Sequence, residues 1–519
     1  MNAPRQGGAG TPRRYGVLIV GAGFSGIGMA IRLRQRGEED FVIYEKEAGF
    51  GGTWWVNQYP GCACDIPSHL YSFSFAPNPG WTRRFSAQPE IRDYLIDCAE
   101  RHGLGAYTRF NTSVKSLRWL EEQSLWEITD ERGETVHARV VVTGTGALSM
   151  PRAPDIPGIE RFRGRIFHSQ RWAHDYPLAG KRVGVIGTGA SAIQFIPAIQ
   201  PQVAKLVVFQ RTAPWIIPKL DRVFSVAERK LLHAAPWLQK LLRGAIYTAV
   251  EARVLGFVFQ PRLMALHRFL ALTLMRCQVR DRALRRRLTP DYAIGCKRIL
   301  ISNDYYPAIA QPNVELVTSD ILEITEDALV TRDQVRHPLD ALILGTGFSA
   351  NSLFPRGMIF GRQGRDLLDA WPQGPEAYKG TTVAGYPNLF LLMGPNTGLG
   401  HNSIVYMIES QIAYVLGALD AMAGQGLASV EVRPQAQQRF NDQLHGRMRG
   451  TVWSRGQCQS WYLHPQSGRN VALWPGLTWV FRRQTRRFDT EAYCLKPKLA
   501  EQHQSHEQPI QACRQEEVV

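Results

Sequence analysis

The sequence predicts an α/β fold with two Rossmann-like domains and a helical insertion in the second domain. Two segments, residues 15–37 and 181–199, each combine a buried strand, a glycine-rich turn and an amphipathic helix. A third segment, about residues 222–290, is rich in Leu, Ala and Arg and has helical periodicity. Its apolar faces are interrupted by Glu251, Arg253, Arg262 and His267. These charges favour helices packed against the protein over helices in contact with a membrane.

Composition narrows the class of protein. The 519 residues suggest about three domains, and 44% apolar residues suffice for large cores. No run of about 18 apolar residues and no apolar leader segment occurs, so we expect a soluble, cytoplasmic protein without a membrane span. The net charge of +16 is compatible with nucleic acid, anionic lipid or anionic cofactors. Because no nucleic-acid-binding motif surrounds the basic clusters, phosphate-bearing cofactors are favoured and nucleic acid is not expected.

The cysteines are scattered and predict reduced thiols, with no paired framework and no metal site. They are Cys62, Cys64, Cys98, Cys277, Cys296, Cys458, Cys494 and Cys513. Cys62 and Cys64 form a CxC pair, which without companion ligands is a poor zinc site and lacks the spacing of flavin disulfide reductases.

The first glycine-rich turn matches GxGxxG with Gly21, Gly23 and Gly26. These glycines allow a tight turn, the approach of a pyrophosphate, and close packing of helix on strand. The next strand ends at Glu45, 24 residues after Gly21, where an acidic residue binds a ribose hydroxyl. A carboxylate there repels a 2′-phosphate, so this turn predicts FAD or NAD.

The second turn carries Gly187, Gly189 and Ala192 in the three glycine positions. The same offset of 24 residues ends on Arg211, followed by Thr212. An arginine suits a 2′-phosphate and the threonine adds a hydroxyl donor, so this site predicts NADP(H). The alternative is that Arg211 is a solvated charge at the end of a strand. Two different turns in one chain favour FAD combined with NADPH.

Two similar strand exits, in residues 140–158 and 341–351, predict that one domain is inserted into the other. We expect an FAD-binding domain formed by residues 15–151 and 343–499, and an NADP-binding domain formed by residues 152–342. The helical subdomain, about residues 222–290, belongs to the second. Residues 1–14 and 500–519 are polar and are predicted to be disordered.

The segment FRGRIFHSQRWA, between the two turns, has Phe162, Gly164, His168 and Trp172 at the spacing FxGxxxHxxxW. With this fingerprint the chain resembles the flavin-containing monooxygenases of the Baeyer–Villiger type (class B), notably the branch that resembles hydroxyacetophenone monooxygenases. The resemblance covers nearly the whole chain. Ala173 departs from the pattern, which usually has Pro or Asp after the tryptophan. This departure leaves open a related flavin monooxygenase that oxidises sulfur or nitrogen.

The resemblance implies that NADPH reduces FAD, that dioxygen adds to the reduced flavin, and that the resulting peroxyflavin converts a ketone to an ester or lactone. It implies that Arg298 stabilises the anionic peroxide, that Asp65 pairs with Arg298 near the flavin, and that Lys297 lies near the NADP 2′-phosphate. Further cofactor contacts are implied for Ser25, Thr53, Trp54, Tyr71, Val114 and Ser191.

The fingerprint residues are expected to position the two domains, with His168 as a general base the alternative. A heteroatom oxygenase remains the second functional hypothesis, a non-oxygenating NADPH-flavin reductase the third, and a non-enzymatic basic binding module the last. Pocket walls are expected around Asn396 and Trp453, but no motif indicates which small apolar ketone or sulfide is the substrate, nor the oligomeric state.

Overall fold

The computed structural model describes residues 12–348, 353–456, 458 and 460–498. The tail predicted to be disordered and Cys513 lie outside the described residues. Of the predicted disordered N-terminus only residues 12–14 are described, and Arg14 already belongs to the first strand.

The described residues form twenty β-strands and thirteen α-helices. The strands are β1 (Arg14–Val20), β2 (Phe41–Tyr44), β3 (Thr108–Arg109), β4 (Val114–Leu120), β5 (Leu125–Asp130), β6 (Thr135–Thr143), β7 (Arg165–His168), β8 (Arg182–Ile186), β9 (Lys205–Phe209), β10 (Ile216–Ile217), β11 (Leu300–Ile301), β12 (Val314–Val317), β13 (Ile321–Ile324), β14 (Ala328–Thr331), β15 (Arg336–Pro338), β16 (Ala341–Leu344), β17 (Ile359–Phe360), β18 (Leu389–Leu391), β19 (Leu427–Val432) and β20 (Tyr493–Pro497). The helices are α1 (Phe24–Arg34), α2 (Thr53–Val56), α3 (Gln88–Arg101), α4 (Ala192–Ile199), α5 (Val226–Ala234), α6 (Pro236–Glu251), α7 (Met264–Gln278), α8 (Arg282–Leu288), α9 (Tyr305–Ile309), α10 (Ile404–Gly424), α11 (Pro434–Met448), α12 (Val452–Arg455) and α13 (Thr478–Thr485).

The larger sheet has the order β17-β4-β5-β6-β1-β2-β3, with β18 also paired to β6. Strands β1, β2, β3, β6 and β18 run parallel, while β4 and β5 form an antiparallel extension. Its strands come from residues 14–143 and, after a long excursion, from 359–391. The sheet therefore combines two separate stretches of the chain.

The second sheet has the order β12-β9-β8-β16-β7 and is parallel throughout. All of β16 and most of β8 and β9 are buried, as expected for parallel strands covered on both faces. The two sheets give the predicted α/β architecture with two Rossmann-like units. The exact domain boundaries, at residues 151 and 342, stay a prediction.

Helices α5 to α8 form the predicted helical insertion between β10 and β11. Elsewhere, α10 is the only helix of the described chain that is long and apolar enough to cross a membrane. Most of its apolar window is buried inside the fold, where α10 packs against α1, α13 and β19.

The prediction that the cysteines are reduced thiols is wrong for one pair. Cys296 and Cys458 form a disulfide with their Cα atoms 6.3 Å apart. The sequence could not predict this disulfide, because the two cysteines are 162 residues apart. Only the folded chain brings the loop after α8 beside the segment after α12. Cys62, Cys64 and Cys98 are buried thiols, and burial raises the pKa of Cys62 to about 12.

Candidate active site

The first glycine turn lies between β1 and α1. Gly21 has φ +98°, and a Cβ on Gly26 would lie 1.8 Å from the carbonyl oxygen of Gly21, so only glycine fits at this crossing. No side chain caps α1, and its first turn contains no acidic residue. The backbone N–H groups at this helix end can therefore donate hydrogen bonds to a pyrophosphate.

Glu45 lies directly under this turn and is 4% exposed. Its carboxylate accepts hydrogen bonds from the N–H groups of Ala22 (2.6 Å) and Glu47 (2.8 Å). Burial raises the pKa of Glu45, and the two N–H groups oppose that rise. The carbonyl of Glu45 accepts from the N–H of Thr112 at 2.8 Å, which brings the start of β4, at Val114, close to Glu45. The predicted ribose and adenine contacts thus lie together.

The second turn lies between β8 and α4. Gly187 has φ +105°, and a Cβ there would lie 2.4 Å from the carbonyl oxygen of Gly345, whereas Gly189 faces open space. The hydroxyl of Thr188 donates to the carbonyl oxygen of Thr212 at 3.1 Å. Ser191 and Ala192 then begin α4. This turn and the end of β9 therefore form one surface.

Two cations flank that surface, Arg211 after β9 and Lys297 after the helical insertion. The pKa of Lys297 is lowered by burial and then by the positive charge of Arg211. The Lys297 ammonium lies 4.7 Å from the ring centre of Tyr292. In the described chain no carboxylate comes within ion-pair distance of either cation. Two neighbouring cations without an ion-pair partner, of which Lys297 is partly buried and Arg211 exposed, suit a phosphate dianion.

Arg298 and Asp65 form an ion pair although they are 233 residues apart in the sequence. Nε and Nη2 of Arg298 donate to Oδ2 of Asp65 at 2.8 and 2.5 Å. The carboxylate raises the pKa of Arg298, and burial opposes the rise. The side chains are 34% and 29% exposed, so the pair remains accessible. Nη1 of Arg298 donates to no atom of the described residues and is free to bind an anionic oxygen.

An apolar wall lies beside this pair. Tyr462 is 1% exposed, its hydroxyl has no hydrogen-bond partner among the described residues, and its pKa is raised to about 12 by burial. It belongs to the same apolar cluster as Phe257, Leu399 and Trp453, and the rings of Phe257 and Trp453 stack at 5.8 Å. The ion pair thus borders an apolar surface, and the Asp65 carboxylate also interacts electrostatically with Arg253.

Comparisons with known proteins agree with this geometry. Residues 14–358 match the family model described as flavin-binding monooxygenase-like. A Baeyer–Villiger monooxygenase from Pseudomonas aeruginosa is 58% identical, over 93% of this chain and 92% of that protein. Another from Streptomyces coelicolor is 48% identical, over 93% of each chain. The chain belongs to the flavin-binding monooxygenases of the Baeyer–Villiger type.

Solved structures extend the comparison to the cofactors. An NADP⁺-bound cyclohexanone monooxygenase from Rhodococcus sp. Phi1 superposes with a TM-score of 0.84 at 28% identity, covering 94% of this chain and all of that one. A steroid monooxygenase bound to NADP gives 0.83 at 31% identity, over 93% of this chain and all of that one. A third structure, OTEMO in complex with FAD and NADP, gives a TM-score of 0.84 at 27% identity, over 94% of this chain and all of that one. This Baeyer–Villiger monooxygenase therefore uses FAD and NADP(H), and oxygenates a ketone to an ester or lactone.

Among the residues predicted to contact FAD, Trp54 and Tyr71 are joined by a hydrogen bond from the indole Nε1 to the phenol oxygen (3.2 Å). Thr53 opens the short helix α2 that carries Trp54, and Ser25 is buried at the start of α1. The backbone between α1 and α2 is held by the N–H of Gly51, which donates to the carbonyl of Ala22 at 2.9 Å. These predicted FAD contacts therefore surround the first glycine turn.

The fingerprint lies where the chain passes between the sheets. His168 ends β7, accepts the N–H of Gln170 on Nδ1 at 3.1 Å, and contacts the carbonyl of Gly347 through Nε2 at 3.1 Å. Burial lowers its pKa. The ring also packs against Phe348, 5.7 Å between centres. These contacts tie the imidazole to the segment that leaves the second sheet, and both ring nitrogens are engaged.

The other fingerprint residues make packing contacts within the fold. A Cβ on Gly164 would lie 2.5 Å from the carbonyl of Asp340, and Phe162 packs under the second sheet. Trp172 lies between Phe167 and Phe195. Ala173, the departure from the family pattern, is buried in the main core.

Two residues that sequence reasoning missed bridge the sheets of the monooxygenase. Gln194 on α4 accepts from the hydroxyl of Tyr59 at 3.0 Å, and its amide donates to the carbonyl of Ala63 at 3.0 Å. Arg171, inside the fingerprint, donates from Nη1 to Glu47 at 3.1 Å. The second contact could have been suspected, because an arginine at a fixed place in the fingerprint faces the acidic end of β2. Nothing in the sequence around Gln194 indicates the first.

Proposed function

We propose that the Asp65–Arg298 pair is the centre at which this enzyme inserts an oxygen atom beside the carbonyl of an apolar ketone. The observation that supports this proposal most directly is the geometry of Arg298. Two of its nitrogens, Nε and Nη2, donate to one carboxylate oxygen of Asp65, and its third nitrogen, Nη1, is free. Such a preorganised donor stabilises charge that develops on oxygen without reorganising during the reaction.

We assign the cofactors to the two glycine turns. FAD would be held by the Gly21–Gly26 turn, Glu45, Val114 and the Trp54–Tyr71 wall, and NADP by the Gly187–Ala192 turn with the Arg211–Lys297 cations. FAD and NADPH, when bound, supply hydride transfer and the activation of dioxygen. Two observations support this assignment. A side chain at Gly26 or Gly187 would clash with the backbone of its turn, and the two cations at the second turn have no ion-pair partner among the described residues.

Asp65 has a different role from Arg298. Its carboxylate fixes the guanidinium in place, while the arginine presents Nη1 to the reacting oxygen. The apolar wall with Phe257, Trp453 and Tyr462 excludes water, which strengthens the charge interaction.

The same wall supports an apolar ketone as the substrate. Cyclohexanone and steroid monooxygenases are among the structural relatives, so we include cyclic ketones in the proposed substrate class. The Tyr462 hydroxyl, which has no partner among the described residues, could donate to the carbonyl oxygen of such a ketone. We further propose a cytoplasmic location for the enzyme.

The test uses the FAD-loaded protein, NADPH and isotopically heavy dioxygen with a panel of cyclic, linear and aryl ketones and of sulfides. We expect one heavy oxygen in an ester or lactone, and loss of that product in Arg298→Met. Heavy oxygen only in sulfoxides, with every ketone unchanged, would contradict the proposal and favour the heteroatom oxygenase.

A further inference from the structure

The helical insertion exposes an unusual amount of apolar surface. Of the seventeen large apolar side chains that are exposed in the described chain, twelve lie between residues 220 and 270. Single exposed apolar residues are ordinary on soluble proteins, but such concentration in one tenth of the chain is not. The predicted packing of these helices against the protein therefore covers only part of their surface.

The exposed residues follow the helix repeat. On α6, Trp237 and Leu241 are 68% and 62% exposed and one turn apart. On α7, Leu266 and Phe269 are 63% and 64% exposed and also one turn apart. Residues three or four positions apart lie on one face of a helix, so each helix presents an apolar stripe to solvent.

These stripes are held outward by packing on other faces. Arg243 of α6 donates to the carbonyl of His69 at 2.7 Å, and the hydroxyls of Tyr247 and Thr478 lie 3.0 Å apart. On α7, Ala271 and Met275 are buried in the core. The helices are thus anchored to the enzyme body by one side, and the exposed stripes belong to the folded arrangement.

The same segment carries most of the excess positive charge. Residues 221–287 contain fourteen Lys and Arg against four Asp and Glu, a net +10 within a chain total of +16. All four acids are already engaged: Asp221 pairs with Arg83, Glu228 pairs with Arg222, Glu251 is buried in a hydrogen-bond cluster, and Asp281 caps α8. Arg262 and Arg268 flank the stripe of α7, are exposed, and form no ion pair within the described residues.

We infer that the helical insertion is a docking surface for an anionic lipid bilayer. Amphipathic helices with aromatic and Leu side chains beside Lys and Arg are the signature of binding in the membrane interface. Charge attraction adds to the apolar contact on an anionic leaflet. Association with a second copy of the chain is disfavoured, because it would bring two positively charged surfaces together.

Vesicle flotation of the FAD-loaded enzyme tests this inference. We expect binding to phosphatidylcholine vesicles that contain phosphatidylglycerol, weaker binding to pure phosphatidylcholine, and release at high salt. Leu266→Ser with Phe269→Ser should weaken binding at least tenfold. Arg262→Gln with Arg268→Gln should weaken it roughly fivefold for each charge removed. Quenching of Trp237 fluorescence by brominated lipid, absent in Trp237→Phe, would place α6 in the interface.

Matched controls change the same residue types elsewhere. Leu322→Ser with Val335→Ser removes two exposed apolar residues outside the insertion, and Lys115→Gln with Lys498→Gln removes two exposed charges. Both should bind vesicles as the parent protein does. No binding to anionic vesicles at low salt, or equal loss in the controls, would overturn the inference. So would a dimer in sedimentation velocity that the Leu266/Phe269 variant dissociates, since the face would then be a contact between copies.

Discussion

In the proposed function, Arg298 is the residue on which the chemistry of the site depends most directly. Arg298→Ala should lower ketone oxygenation by about a hundredfold or more, because it removes the free donor for the developing oxygen charge. Arg298→Lys should restore only part of the rate, since an ammonium keeps the charge but not the fork that Asp65 fixes. Product yield per NADPH consumed is the measurement. The exposed Arg286→Ala is the control, and a rate within a few fold of the parent in Arg298→Ala would contradict the role.

Lys297 should make NADPH binding sensitive to pH. Its pKa is lowered by burial and by Arg211, so its charge is lost at lower pH than for an ordinary lysine. We expect the KM for NADPH to rise with pH while the pH is still below the ordinary lysine pKa of 10.5. Lys297→Arg should flatten that rise, because a guanidinium stays charged. NADH, which lacks the 2′-phosphate, is the control, and an equal rise with NADH would rule out the assigned contact.

At the scale of single residues, the sequence predicted those site residues that a local spacing identifies. The offset of 24 residues pointed to Glu45 and to Arg211 without any structural knowledge. Asp65 and Arg298 came from the family resemblance alone, because an Asp after a turn is usually a cap. The fold was needed to show that Lys297 lies close enough to Arg211 to lower its pKa, since 86 residues separate the two in the chain.

At the scale of elements, His168 joins the end of β7 to Gly347 and Phe348, in the segment that leaves the second sheet after β16. His168→Ala should loosen the contact with Gly347 and raise the fraction of NADPH oxidation that ends as hydrogen peroxide instead of product. FAD binding should stay unchanged, because the imidazole lies away from the first glycine turn. Peroxide assay beside product yield measures this coupling. Loss of oxygenation with unchanged peroxide release would instead support a general base.

The disulfide gives the segment after α12 a covalent anchor next to the active site. Cys296 lies two residues before Arg298, and Cys458 lies four residues before Tyr462. Cys458→Ser should free one additional thiol and increase hydrogen exchange around residues 460–463, while lowering the product yield per NADPH. Cys277→Ser, which removes an exposed thiol, is the control. Unchanged exchange in Cys458→Ser would mean that packing alone holds the segment.

The helical insertion shows what sequence periodicity cannot predict at the scale of elements. Periodicity located its helices, and the charges at Arg253 and Arg262 were read as marks of packed, soluble helices. The structure confirms the helices, but they are packed on one side only, and neither observation determines which stripe meets the protein. That depends on partners such as His69 and Thr478, which lie far away in the chain.

For the whole molecule, the α/β class and its two parallel units were predictable because each unit begins with its own strand, glycine turn and helix. The return of β17 and β18 to the first sheet follows from the similar strand exits recognised in the sequence. The contacts between the units were not predictable, since Gln194, Tyr59 and Ala63 are joined only by tertiary geometry. These contacts lie close to Asp65 in the chain, so relative movement of the two units would reach the active site directly.

Glu251 joins the helical insertion to the rest of the molecule and should govern part of its acid stability. It is 6% exposed and accepts from the N–H of Thr478 (2.6 Å), the hydroxyl of Thr478 (2.9 Å) and the amide of Asn402 (2.5 Å). Burial alone would raise the pKa of Glu251, but the bonds from His401, Asn402 and Thr478 leave it below the ordinary value of 4.5. A depressed carboxyl pKa stabilises the fold above the unfolded value, and this contribution is lost as pH falls through the folded value.

Glu251→Gln should therefore lower the Tm near neutral pH, through loss of roughly 1.5–3 kcal/mol for a hydrogen bond to a charged group. The difference from the parent protein should shrink as pH falls below 4.5, because the parent then loses the same charge. Thermal unfolding across this range is the measurement, with hydrogen exchange in residues 244–259 as a local readout. The exposed Glu122→Gln should follow the parent at every pH. A Tm difference for Glu251→Gln that is constant with pH would show that the side chain acts by packing and not by its charge.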